Sequence, residues 1–188
     1  QKFAVTPALI PDGLISGSLW QGDDPITYRF VDSKPGDYGA NEFGDFVAVS
    51  EFLGLGTAIT NAFAEFTRVT GRSIQQAEDG QEAQINIFSV TDLGMPFLGY
   101  SPGGGRGGDM IFNQDDFLIG DMNDIRQFRM LQTMGSALGL DFNDLSRLDT
   151  VMGSQQHPKS LVPVTFGSAD WLAFQEMYGS ELLDPTDP

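Results

Sequence analysis

The feature that most constrains the fold is a long run of apolar side chains at helical spacing. Within residues 47–71, the positions that share one helical face are Phe52, Leu55, Ile59, Ala62, Phe63 and Phe66. The spacing predicts one long amphipathic helix that ends at Gly71, because glycine readily adopts the left-handed conformation that closes a helix. A chain with such a helix is not an all-β protein.

Strand-like segments lie on both sides of this helix. Residues 26–32, ITYRFVD, alternate apolar and polar side chains, which is typical of a half-buried strand. Residues 83–90, AQINIFSV, place Ile85, Ile87 and Ser89 on one face and predict a second strand. Residues 109–113, DMIFN, predict a short strand that leaves a glycine-rich loop. The loop glycines are Gly103, Gly104, Gly105, Gly107 and Gly108.

Two more helices are predicted in the second half of the chain. Residues 124–140 repeat apolar side chains at intervals of three and seven, and Asn123 precedes them as a suitable cap. Residues 168–179 predict a terminal helix that Ser168 caps and Gly179 ends. Together with the strands, these helices predict a chain in which both kinds of element alternate.

Length and composition indicate one globular domain. A chain of 188 residues with 40% hydrophobic residues can bury a core without disulfides, and we expect Trp20 and Trp171 to be part of it. No apolar run reaches the length of about 18 residues that spans a bilayer. No internal repeat or linker divides the chain. We therefore expect one domain over residues 1–180 and an acidic tail over 181–188.

The charge balance limits the partners. Against 26 Asp and Glu the chain has 10 Lys and Arg, which gives a net charge of -16. This charge repels nucleic acid and anionic lipid, so we expect neither as a partner. The absence of cysteine excludes disulfides and thiolate metal sites. The numbering begins at Gln1 rather than at a methionine, which indicates either processing or an artificial boundary, and secretion is the favoured expectation.

Several segments, taken in order, resemble the metzincin zinc proteases of the matrixin and serralysin-like branch. ITYRF resembles the first strand, NAFAEFTRVTG the end of the first helix, and EAQINIFS the strand that reads A-D-I-x-I in matrixins. YSPGGGRGGDMIFN resembles the glycine loop and edge strand, and SADWLAFQEMYG the closing helix. The resemblance implies an α+β, metzincin-like (zincin) fold. Such a fold has a twisted, mostly parallel sheet with one antiparallel edge strand, two long helices on one side and a C-terminal helix.

The zinc signature of that family, H-E-x-x-H-x-x-G-x-x-H, is degenerate in this chain. In the family, three histidines hold the zinc and the Glu is the general base for zinc-bound water. With Gly139 in register, the residues at the His, Glu, His and His positions are Gln132, Thr133, Ser136 and Phe142. DTVMG (149–153) resembles the turn that places a methionine, here Met152, beneath the metal. The resemblance therefore implies a pseudoprotease without catalytic zinc.

Further expectations follow for this vacated site. Gln132 and Ser136 are expected to project from one helix face, since i and i+4 positions are neighbours. We expect Phe142 to fill part of the space above Met152. His157 is the only histidine in the chain, so no second three-histidine site can form. A surface position for His157 is favoured over its pairing with Ser154 or Ser160 in a hydrolase site.

The glycine-rich loop has two interpretations that both stay open. Matrixins bind calcium in this loop, and the resemblance implies a calcium site from the carbonyls of Gly105 and Gly107 with the carboxylates of Asp109 and Asp116. The alternative is a surface loop with solvated acids. The residues that depart from the family pattern around the loop are Gln84, Ile111 and Asn113. A phosphate loop is excluded because no Lys or Ser/Thr follows the glycines at the required positions.

Three classes of function compete at this stage. The loss of all zinc ligands favours an inactive, extracellular pseudoprotease with a structural or binding role, either through a protein partner or through self-assembly. One alternative is a secreted metalloendopeptidase-type hydrolase with an unconventional site. The other is an architectural module of a larger secreted protein. Calcium is the only cofactor that the resemblance retains.

Overall fold

The computed structural model describes residues 10, 12–52, 54–117, 122–142, 150–153 and 165–179. In these ranges the chain forms six strands and four α-helices. The strands are β1 (Ile26–Phe30), β2 (Phe46–Val47), β3 (Ile74–Gln76), β4 (Ile85–Val90), β5 (Phe97–Gly99) and β6 (Met110–Asn113). The helices are α1 (Leu55–Thr70), α2 (Gln114–Phe117), α3 (Asp124–Ala137) and α4 (Ser168–Tyr178).

All six strands belong to one mixed, mostly parallel sheet with the order β3-β1-β4-β6-β5. The strands β3, β1, β4 and β6 run parallel, whereas β5 pairs antiparallel with β6. The short β2 pairs antiparallel with the end of β4, beyond the last residue that β1 pairs. The predicted α+β class and the antiparallel edge strand are confirmed. The assignment of residues 109–113 to the edge is wrong, because β5 covers β6.

One face of the sheet packs against the helices. Its buried residues include Ile26, Ile85 and Phe112, and they form one core with residues of α1, α3 and α4. The helix residues in that core include Ile59, Phe63, Phe66, Met130, Met134, Ala169 and Phe174. Trp20 is part of the same core and Trp171 is partly buried against it, as predicted from their apolar bulk. This packing places α1 and α3 on the same side of the sheet.

The loop between β1 and β2 covers the other face. Tyr38 from this loop packs with Phe88 and Ile111 in a second, smaller core. The Lys34 ammonium holds the loop closed by donating hydrogen bonds to three carbonyl oxygens. These belong to Ala40, Glu42 and Gly44, at 3.2, 2.7 and 2.6 Å.

The first long helix is shorter than predicted. It begins at Leu55 rather than at residue 47, because Val47 pairs in β2 and Val49–Glu51 form a 3-10 turn. Gly54 precedes the helix in the left-handed conformation, with φ of 81°. The end at Gly71 is confirmed, since its N–H donates to the Thr67 carbonyl at a positive φ of 74°.

The predicted cap of α3 is confirmed, whereas the predicted cap of α4 is wrong. Asn123 caps α3, because its side chain accepts the Arg126 N–H at 3.0 Å. Ser168 is the first residue of α4 rather than its cap, which is Gly167. The Asp170 carboxylate accepts the Gly167 N–H at 2.8 Å and so satisfies the helix start.

Two sequence predictions lie outside the described residues, namely the acidic tail over 181–188 and the pairing of His157 with Ser154 or Ser160. For the part of the chain that the structure describes, no helix has both the length and the apolar character needed to cross a membrane.

Candidate functional site

The segment that carries Met152 lies directly against α3. The Gln132 amide donates a hydrogen bond from Nε2 to the Val151 carbonyl at 2.9 Å. A methyl group placed on Gly135 would lie 2.5 Å from Sδ of the fully buried Met152. The absence of a side chain at Gly135 therefore lets α3 approach this segment closely, and the Gln132 amide is occupied by its hydrogen bond to Val151.

The Asp170 carboxylate fixes the same segment from the opposite side. Asp170 is fully buried, and it accepts hydrogen bonds from the Val151 N–H at 2.8 Å and from the Thr150 hydroxyl. Because the same carboxylate binds the start of α4 at Gly167, it ties two elements together.

Ser136 and Thr133 lie at the junction between α3 and β5. A methyl group on Gly99 would lie 2.5 Å from the Thr133 carbonyl oxygen and 3.0 Å from Cβ of Ser136. Thr133 is fully buried, and its hydroxyl donates to the Arg129 carbonyl within the same helix at 2.8 Å. The absence of a side chain at Gly99 thus lets α3 approach the edge strand.

Phe142 does not fill the interior above Met152, so this prediction is wrong. Its side chain is 44% exposed, and its ring centroid lies 6.4 Å from that of Phe97 in β5. The reason is the path of the preceding residues. Gly139, at a φ of 98°, turns the chain into a bridge with residues 14–16, and the fully buried Leu140 fills the interior there.

The four positions of the degenerate signature thus differ in their surroundings. Gln132 and Ser136 are each 7% exposed, Thr133 is buried and Phe142 is on the surface. An amide, two hydroxyls and a phenyl ring are a poor donor set for zinc, which prefers imidazole, thiolate and carboxylate. The described ranges contain no group of three or more His, Cys, Asp or Glu residues placed to hold a metal.

The first carboxylate of the suggested calcium site, Asp109, is buried and accepts three hydrogen bonds. Its Oδ2 accepts the Tyr38 hydroxyl at 2.9 Å, and its Oδ1 accepts the backbone and side-chain N–H groups of Asn86 at 3.0 and 2.9 Å. Burial raises the pKa of Asp109, although the Asn86 and Tyr38 donors oppose that shift. Burial likewise raises the pKa of Tyr38 above its usual range, and the neighbouring Asp109 adds to this effect.

The second carboxylate, Asp116, lies at the other end of β6. It forms an ion pair with Arg129 at 2.5 Å. Asp109 immediately precedes this four-residue strand, whereas Asp116 contacts the Asn113 side chain at its far end. At about 3.3 Å per residue, roughly 13 Å of strand lies between them. One ion cannot bind both groups, and the structure does not combine Asp109 and Asp116 with Gly105 and Gly107 in one site.

An arginine supplies the positive charge in the glycine-rich loop. Arg106 forms a two-pronged ion pair with Glu42, at 2.6 and 2.8 Å, and its guanidinium lies 4.2 Å from the centre of the Tyr38 ring. The hydrogen bond to Glu42 raises the pKa of Arg106 and lowers that of Glu42. This contact attaches the glycine loop to the loop that covers the second face of the sheet.

The surface beside β5 was not predicted from the sequence. β5 has only three residues, too few for a periodic pattern, and it follows Pro96. Met95, which is 48% exposed, precedes the strand, and Phe142 lies at its side. The one available sequence signal was the cluster of apolar residues in GMPFLG, which resembles a loop as much as a strand.

No protein-family model matches the chain, and no curated protein sequence matches it either. The metzincin resemblance therefore remains a hypothesis that rests on the order of the quoted segments.

Proposed function

We propose that this chain is a metzincin-like pseudoprotease domain that binds a protein partner and has no catalytic zinc. The observation that carries the proposal is the state of the degenerate signature. Gln132 is committed to Val151, Thr133 to its own helix, and Phe142 lies at the surface. Gln132 and Thr133, at positions that carry a zinc ligand and the general base in the family, are here used for internal contacts, and Phe142 has no donor atom for a metal.

The edge strand β5 offers a surface for an extended partner segment. In an antiparallel pair, successive residues point their backbone groups alternately toward and away from the neighbour. The Asn113 N–H donates to the Pro96 carbonyl, and the Tyr100 N–H donates to the Asp109 carbonyl. Leu98 lies midway between Pro96 and Tyr100, so its pair with Ile111 is also a hydrogen-bonded one. The N–H and C=O groups of Phe97 and Gly99 therefore face away from β6, where a further strand could pair with them.

Apolar side chains accompany these backbone groups. The large hydrophobic side chains that are exposed within the described ranges are Met95, Ile125 and Phe142. Met95 lies two residues before β5, and Phe142 stands against the Phe97 ring. Exposed aromatic residues beside an open strand edge are typical of a protein-binding surface.

The absence of zinc catalysis is tested by metal analysis combined with a peptide-library assay. Protein purified without chelators is expected to contain far less than the one zinc per chain of an active zinc protease, and to cleave no peptide when zinc is supplied. A stoichiometric zinc content together with chelator-sensitive cleavage would overturn the proposal.

The binding role is tested by selecting peptides from a displayed library and comparing two variants. Phe142→Ala is expected to weaken binding of the selected peptides about tenfold or more, since a central aromatic contact is worth about 1.4 kcal/mol or more. Ile125→Ala, at the similarly exposed start of α3, is the matched control and should leave binding unchanged. Equal binding by both variants would contradict the assignment to β5.

A further inference from the structure

We infer that the segment bound at β5 is cationic, an inference that rests on the proposed function and names the chemistry of the partner. Three of the ten lysines and arginines, Lys2, Arg147 and Lys159, lie outside the described residues. Each of the other seven donates to an acceptor within the chain. Arg29 donates to Gln81 and Asn86, and Lys34 donates to Ala40, Glu42 and Gly44. Arg68 donates to Glu65, Arg72 to Gln21 and Arg106 to Glu42. Arg126 and Arg129 both donate to Asp116.

The carboxylates are distributed in the opposite way. Twenty of them fall within the described ranges, and the ion pairs formed there with arginine use Glu42, Glu65 and Asp116. Asp109 and Asp170 are buried with hydrogen-bond partners. The remaining fifteen are exposed to solvent. The described surface therefore presents carboxylates in large excess, while each of its cationic groups already has an acceptor within the chain.

Two of these exposed carboxylates are close in sequence to the apolar residues that flank β5. Asp141 directly precedes Phe142, and its Oδ1 accepts the Phe142 N–H at 2.8 Å. Asp92 is exposed three residues before Met95. A partner segment that alternates apolar and basic side chains would match both the aromatic contact and the carboxylates. A second copy of this chain would bring together two net charges of -16, which disfavours self-pairing at the same edge.

The test uses two synthetic peptides of equal length that alternate Val or Tyr with Lys in one peptide and with Glu in the other. The Lys peptide is expected to bind at least about tenfold more tightly at low salt, and its affinity should fall as NaCl is added. Asp141→Asn is expected to weaken it about two- to fivefold, as for an exposed ion pair. Asp124→Asn, which removes an exposed carboxylate from the first turn of α3, is the matched control and should have no effect.

The possible outcomes separate this inference from the proposed function. If both peptides bind equally and Phe142→Ala weakens both, the partner is not selected by charge, although the binding role stands. If the Lys peptide binds Phe142→Ala as tightly as the unaltered protein, the attraction is not localised at β5 and the inference fails. Self-association of the protein in sedimentation, abolished by Phe142→Ala, would make a second copy the occupant and would also overturn it.

Discussion

Gln132 stands at a position where the proposed metzincin resemblance would place a zinc ligand, and it contributes to packing through one hydrogen bond. Its amide satisfies the buried carbonyl of Val151. Gln132→Met keeps the length of the side chain but removes the donor. We expect the free energy of unfolding to fall by about 1–3 kcal/mol, the usual cost of a buried polar group without a partner. Urea denaturation measures this difference, and Gln75→Met, on an exposed position of β3, is the control.

Tyr178 links the end of α4 to two distant segments. Its titration makes the free energy of unfolding change with pH in the alkaline range. Its hydroxyl donates to the Leu138 carbonyl at 2.9 Å and accepts the Trp20 N–H at 3.2 Å. Burial raises the pKa of Tyr178 to about 12, whereas an unfolded tyrosine titrates near pH 10. The folded state therefore favours the protonated hydroxyl. Its contribution is complete below about pH 10 and is lost as the pH rises toward about 12.

The measurement is the free energy of unfolding between about pH 8 and pH 12 for the unaltered protein and for Tyr178→Phe. We expect the variant to be less stable at the lower pH, because it lacks both hydrogen bonds, but to lose stability less steeply above about pH 10. Some slope should persist, since burial also raises the pKa of Tyr38. Identical slopes in the two proteins would contradict the role assigned to Tyr178.

At the scale of elements, the contact between α3 and β5 depends on a glycine. A Cβ at residue 99 would lie 2.5 Å from the Thr133 carbonyl oxygen, a backbone atom that cannot move independently of α3. Gly99→Ala should therefore destabilise the protein by about 1–3 kcal/mol, as overpacking of a well-packed contact does. Gly104→Ala is the matched control, because nothing lies within 4 Å of the added methyl group there. Equal midpoints of urea unfolding for these two variants would refute the close approach.

At the scale of the whole molecule, the net charge of -16 opposes the compact state. Added salt screens this repulsion, so Tm is expected to rise between about 10 mM and about 500 mM NaCl. An equal rise in KCl would assign the effect to screening rather than to a specific cation. A Tm that stays constant or falls with salt would show that internal ion pairs, such as that of Arg106 with Glu42, outweigh the repulsion.

The sequence by itself determined those features that depend on near neighbours along the chain. Apolar spacing predicted the central strands and the existence of α1 and α3, and the terminal residues of 168–179 predicted α4. Local chemistry predicted the cap at Asn123 and the stop at Gly71. The absence of histidine at residues 132, 136 and 142 was also evident from the sequence, because the identity of a metal ligand is a property of the residue itself. The strands β2, β3 and β5, with two or three residues each, were missed, since they are stable only through pairing with longer strands.

Only the tertiary structure decided which side chains meet. Val47 lies in a strand rather than in the predicted helix, because it pairs with Ser89 of β4. Phe142 lies at the surface because residues 139–141 form a bridge with residues 14–16, and this bridge places Leu140 in the interior instead. Asp109 and Asp116, seven positions apart, were placed at opposite ends of β6 and given to different partners. Such outcomes depend on contacts between residues distant in sequence, whose competition for the same space and the same hydrogen-bond donors has no local signature.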